Sequence, residues 1–129
     1  NVWETLLSVE SDRDTYEYDV VNVGRQVLGD HFMAVRDQFT EAYKSGDLPL
    51  MQEKAAMMLD IIDDMDRLVA CHPEFSLKDW VDMARSFGET PQQKDYYETN
   101  ARTLVSVWGD SYHLSDYASR AWAGMLSSF

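Results

Sequence analysis

The residues able to do chemistry crowd into the last third of the chain: Tyr96, Tyr97, Glu98, Asn100 and Arg102, then Trp108 before Gly109, then Asp116, Tyr117, Arg120 and Trp122. Of sixteen aromatic residues (4 Trp, 7 Tyr, 5 Phe), seven fall between Tyr96 and Phe129, more than burial of a small helical core requires. Planar rings that stack on the apolar face of a sugar, beside groups that hydrogen-bond its hydroxyls, make up a carbohydrate pocket. Glu98 and Asp116 also raise the question of glycoside hydrolysis, which needs one carboxyl protonated as acid and a second ionised as base or nucleophile. Against that, Arg102 stands four residues after Glu98 and Arg120 four after Asp116. Acid first is the favourable order for a helix ion pair, and pairing is the preferred reading of both carboxylates. Trp108 stacks on a sugar or closes a core, and spacing alone leaves both open.

Other candidate sites are weaker. Asp60 and Asp64 share a helix face with Asp63 and Asp66 nearby, but a calcium loop needs a tight turn with a central Gly, so a solvated face is expected. Asp12 and Asp14 match the first two ligands of such a loop, yet no Gly follows at the sixth position and Val23 stands at the twelfth. His31, His72 and His113 are far apart and show no zinc spacing. His31 falls on an apolar stripe and reads as a hydrogen-bonded core residue. Cys71 and His72 are adjacent and point apart on a helix, without a Gly-framed nucleophile turn. Cys71 therefore reads as a buried structural thiol, and the seven Met as core filler. No metal or cofactor is called for.

Composition narrows the class further. At 129 residues the chain is the length of one domain, and its hydrophobic fraction of 45% is that of a globular protein. A formal charge of −12, with eleven scattered Lys and Arg, repels phosphate backbones, so nucleic acid is not an expected partner. No apolar run approaches the roughly 20 residues that cross a bilayer, so no membrane partner is expected. The amino terminus lacks an initiator Met and a signal-like region, and Phe129 closes a periodic segment without a stop signal. Both features suggest a fragment of something longer.

The elements that must position the aromatic region are helices. Val2, Trp3, Leu6 and Leu7 suggest a helix remnant, and the charged residues 10–14 a loop. From Tyr18, a stripe of Val20, Val23, Val27, His31, Val35, Phe39 and Ala42 predicts a long helix ended by Gly46. Asp47 caps a second, carrying Met51, Ala55, Met58, Ile62, Met65 and Val69 and ending before Pro73. Ser76 opens a third, with Leu77, Trp80, Val81, Ala84 and Phe87, which Gly88 stops. Thr90 and Pro91 open a fourth reaching Gly109, and Leu114 to Met125 form a fifth. No segment alternates like a strand. Short connections make the expected fold all-α, an antiparallel bundle of about five helices forming a single domain over residues 1–129.

The run YYETNART, LVSVWG, then LSDYASRAWAG resembles the signature of the carboxy-terminal helical domain of glycoside hydrolase family 89, the alpha-N-acetylglucosaminidases. Upstream, Tyr18 to Leu28 (YDVVNVGRQVL) is similar to a second segment of that family. Val107 and Ser119 depart from the pattern.

The resemblance implies an accessory domain of a larger glycosidase that removes terminal alpha-linked N-acetylglucosamine with retention. The two catalytic Glu would lie in a preceding (β/α)8 barrel that this chain does not contain, so no catalytic residue is assigned here. It further implies that Trp108, Leu114 and Tyr117 line the substrate pocket, that Arg102, Asp116 and Arg120 support the turn between them, and that Tyr96, Tyr97 and Trp122 are packing. The barrel of the same polypeptide and a glycan ending in N-acetylglucosamine would be the partners, and the parent would be secreted, periplasmic or lysosomal. The alternative is a stand-alone carbohydrate-binding or protein-interaction module without catalytic activity.

Overall fold

The computed structural model describes residues 2–106. Among them are five α-helices: α1 (Val2–Leu7), α2 (Asp14–Ser45), α3 (Leu48–Val69), α4 (Leu77–Ser86) and α5 (Pro91–Leu104), with a 3-10 turn at Pro73–Phe75. The fold is all-α, as expected. The predicted fifth helix, Leu114 to Met125, lies outside the described residues. None of the described helices is long and apolar enough to cross a membrane.

Helices α2 and α3 form one antiparallel hairpin. Gly46 ends α2 in the left-handed region (φ 73°), and Asp47 donates its N–H back to the Ala42 carbonyl at 2.9 Å. Asp47 then caps α3 by accepting the Leu50 N–H at 3.1 Å, with Pro49 tolerated in a first turn that needs no donor. A second hairpin joins α4 to α5. Ser76 caps α4 through the Asp79 N–H, and Thr90 with Gln93 closes a capping box on α5. The hairpins pack mainly within themselves.

The described core lies at the open end of the first hairpin, where Val21, Val69 and Phe75 are buried and Tyr18, Met65 and Leu68 pack against them. Tyr16 of α2 reaches back to α1, donating its hydroxyl to the Val9 carbonyl at 2.7 Å with the Leu6 carbonyl at 3.1 Å. His72 is buried in the same region. Its Nδ1 accepts the Glu74 N–H (3.2 Å), which leaves Nε2 as the donor to the Asp14 carboxylate (3.3 Å). Its ring meets Tyr18 and Phe75 edge-on. The contact ties the corner after α3 to the first turn of α2, across 58 residues of sequence.

Four sequence expectations need correction. Residues 10–13 form the expected loop, but α2 begins at Asp14 rather than near Tyr18, and the carboxylates of Asp14 and Glu17 suit the positive end of a helix. In the first half of α2 the buried stripe is displaced by one residue, about 100° around the helix. Val21 and Gly24 are buried, whereas Val27 and His31 are exposed. Gly24 accounts for the rotation: a Cβ there would stand 2.9 Å from Leu68 and 3.0 Å from Trp3, so α1 and α3 approach α2 over the residue with no side chain.

The third correction concerns Cys71, which is exposed, because Val69 and His72 take the inward positions around that turn. Finally, α5 stops at Leu104 rather than running to Gly109. Thr99, Thr103 and Ser106 each turn a hydroxyl onto the carbonyl four residues back (2.7–2.8 Å), a bonding pattern that weakens a helix.

Candidate functional site

Of the residues expected to form or support a pocket, Arg102 falls within the described part of the chain. Trp108, Leu114, Asp116, Tyr117 and Arg120 lie outside it, as does Trp122. The described framework is therefore the α4–α5 hairpin, whose second helix leads into Trp108.

Two sets of contacts hold that hairpin. On one side, Trp80 of α4 donates its indole N–H to the Ala101 carbonyl at 3.0 Å, fixing the last turns of α5 against α4. Ala101 and Val105 are buried there, and Val81 is buried on α4. On the other side runs a chain of charges. Arg102 Nε donates to Glu98 Oε1 at 2.7 Å, the pair that the four-residue spacing predicts. The second oxygen of Glu98 is bound by Arg85 of α4, which also reaches Asp95 at 3.0 Å. A cleft of about 400 Å³ opens beside this network, lined by Leu77, Lys78, Val81, Asp82, Arg85, Glu98 and Arg102.

Both oxygens of Glu98 are thus committed to guanidinium groups. The hydrogen bond from Arg102, then that from Arg85, holds its carboxyl below the usual carboxylate range, while Glu98 and then Asp95 raise the pKa of Arg85. Glu98 is kept ionised and occupied, which suits a structural anchor and not a general acid.

A carboxylate whose folded pKa is depressed stabilises the fold above its unfolded pKa, and the contribution is lost as pH falls through the folded value. The α4–α5 hairpin is expected to loosen below about pH 4. Amide exchange of α5 followed from pH 6 to pH 3 measures this. If wild type and Glu98→Gln lose protection in parallel, the ion pairs contribute nothing.

The structure departs from sequence reasoning in two ways here. Tyr96 and Tyr97, expected to be packing residues, are 64% and 38% exposed. Tyr97 shares the Ala101 face of α5, four residues earlier, and lines the shallow cleft against α4 without being covered. With Phe87, 70% exposed, they form a loose ring cluster at the far end of the hairpin. Arg85 and Trp80 were missed as site-positioning residues. Their partners stand 13 and 21 residues away, beyond any helical periodicity.

Comparison with known proteins decides the family. The pattern described as "Alpha-N-acetylglucosaminidase (NAGLU) C-terminal domain" matches residues 1–129. This chain belongs to that family. Among its relatives is the human alpha-N-acetylglucosaminidase, 24% identical over 131 residues that cover 98% of this chain and 18% of the human protein. A solved relative is the family 89 glycoside hydrolase from Clostridium perfringens in complex with 2-acetamido-1,2-dideoxynojirmycin. It superposes with a TM-score of 0.84 at 28% identity, over 92% of this chain and 14% of that one. The chain thus spans less than a fifth of the length of either relative.

Proposed function

We propose that this chain is an accessory helical domain of an exo-acting, retaining alpha-N-acetylglucosaminidase. It completes one wall of the pocket for terminal alpha-linked N-acetylglucosamine beside a (β/α)8 catalytic domain of the same polypeptide. The family match over all 129 residues carries this reading. The locked state of Glu98 agrees with it, since the carboxylate nearest the aromatic region among the described residues is tied up as an anchor. In this reading Trp108 stacks on the sugar ring, Leu114 and Tyr117 line the pocket, and Arg102, Asp116 and Arg120 hold the turn that carries them. Proton transfer and nucleophilic attack belong to two Glu of the barrel.

The test starts from the full reading frame. A barrel-sized segment upstream and hydrolysis of an aryl alpha-N-acetylglucosaminide by the whole protein are expected. Trp108→Ala is expected to cut kcat/KM by about 100-fold, the loss typical of a misplaced substrate, without lowering the melting temperature. Lost stability with intact specific activity would make Trp108 a core residue. Hydrolysis by the 129-residue chain alone, abolished by removing one of its own carboxylates, would overturn the accessory role.

A further inference from the structure

We infer that Arg85 is a positioning residue for the pocket wall, setting from α4 where α5 ends and so where the segment carrying Trp108 begins. The substrate half of this inference rests on the pocket-wall reading above. The geometry carries the rest. Arg85 is the one described side chain that binds α5 at two points a turn apart, Asp95 and Glu98, and Glu98 passes the constraint on to Arg102 four residues further toward the end of the helix. Glu98 is only 25% exposed and Arg85 35%, so this part of the network is shielded more than an ordinary surface pair. Trp80 grips the Ala101 carbonyl from the same helix α4. Together they tie the last turns of α5 to α4 from two sides, where hydroxyl back-bonding by Thr103 and Ser106 weakens the helix slightly.

Arg85 differs from a general stabiliser in the direction of its effect. Asp95 is 71% exposed and lies in the first half of α5, so its bond to Arg85 holds the helix but does not reach Arg102. Glu98 does.

The experiment compares Arg85→Ala, Arg85→Lys, Glu98→Gln and Asp95→Asn in the full-length protein, by hydrogen exchange over residues 98–106 and by KM and kcat on an aryl alpha-N-acetylglucosaminide. Arg85→Ala and Glu98→Gln are expected to speed exchange in that segment and to raise KM by roughly tenfold with a smaller change in kcat. Their double variant should be no worse than either alone. Arg85→Lys keeps one charge on Glu98 and should recover part of the loss. Asp95→Asn should leave KM unchanged. Equal small losses of stability in all four variants, with KM unmoved, would overturn the inference, as would unchanged exchange in Arg85→Ala. A wild-type protein that fails to hydrolyse the glycoside defeats the pocket-wall reading, and the exchange result then decides by itself whether Arg85 sets the end of α5.

Discussion

Replacing Phe75 by Ala is expected to destabilise the protein by about 3–5 kcal/mol, the range for emptying a buried aromatic site. Phe75 is 1% exposed and packs with Val21 and Val69 where α2, α3 and the 3-10 turn meet. Its ring stacks on Tyr18 at 5.4 Å and faces His72 at 6.2 Å, so truncation removes one wall of the buried histidine site as well. With His72 less well packed, water gains access to its bond with Asp14, and the tie between the two ends of the first hairpin weakens. A melting temperature lower by roughly 10 °C or more is expected. Phe75→Leu, which keeps most of the volume, should lose less than half as much. A change below about 1 kcal/mol for Phe75→Ala would mean that the core is elsewhere.

Gly88→Val is expected to be nearly as damaging, for a different reason. A Cβ at position 88 would stand 2.5 Å from the Lys94 nitrogen and 2.9 Å from the Gln93 carbonyl carbon and the Lys94 Cα. These are backbone atoms in the first turn of α5 and cannot rotate aside. Valine must push the start of α5 away from α4, straining the Thr90 capping box and drawing Asp95 and Glu98 off Arg85. A loss of roughly 3 kcal/mol, the upper end for overpacking, is expected from chemical denaturation. Gly46→Ala is the useful comparison. No atom lies within 4 Å of a Cβ there, and the cost is the left-handed backbone alone, about 1 kcal/mol. If the two substitutions cost the same, the close approach of α5 over Gly88 is wrong.

Gly88 also shows how far local reading reaches. In the sequence it looks like a helix-stopping glycine, and a helix does end beside it, at Ser86. Among the described glycines, however, only Gly46 has a positive φ. Gly88 is needed because another helix packs against its backbone, which no neighbouring residue reveals. Gly24 is similar: it reads as a weak point in a long helix, yet α1 and α3 meet α2 there, and its presence rotates the buried stripe. The ion pair between Glu98 and Arg102 was legible because four residues bring two side chains together on any helix. Its anchor, Arg85, was not.

By itself the sequence determined that helices form where α2 to α5 stand, though not where α2 begins or α5 ends. It also determined their caps at Asp47, Ser76 and Thr90, the acidic and all-α character of the chain, and the motif that places it among the alpha-N-acetylglucosaminidase C-terminal domains. These are set by contacts within one turn of helix, or by residue order, and both are written in the chain directly. Only the tertiary structure decided which face of α2 is inward, that His72 and not His31 is buried, that Cys71 is exposed, and that Arg85 and Trp80 hold the end of α5. Each depends on how one helix is rotated and spaced against another, and that is settled by atoms tens of residues apart competing for the same space.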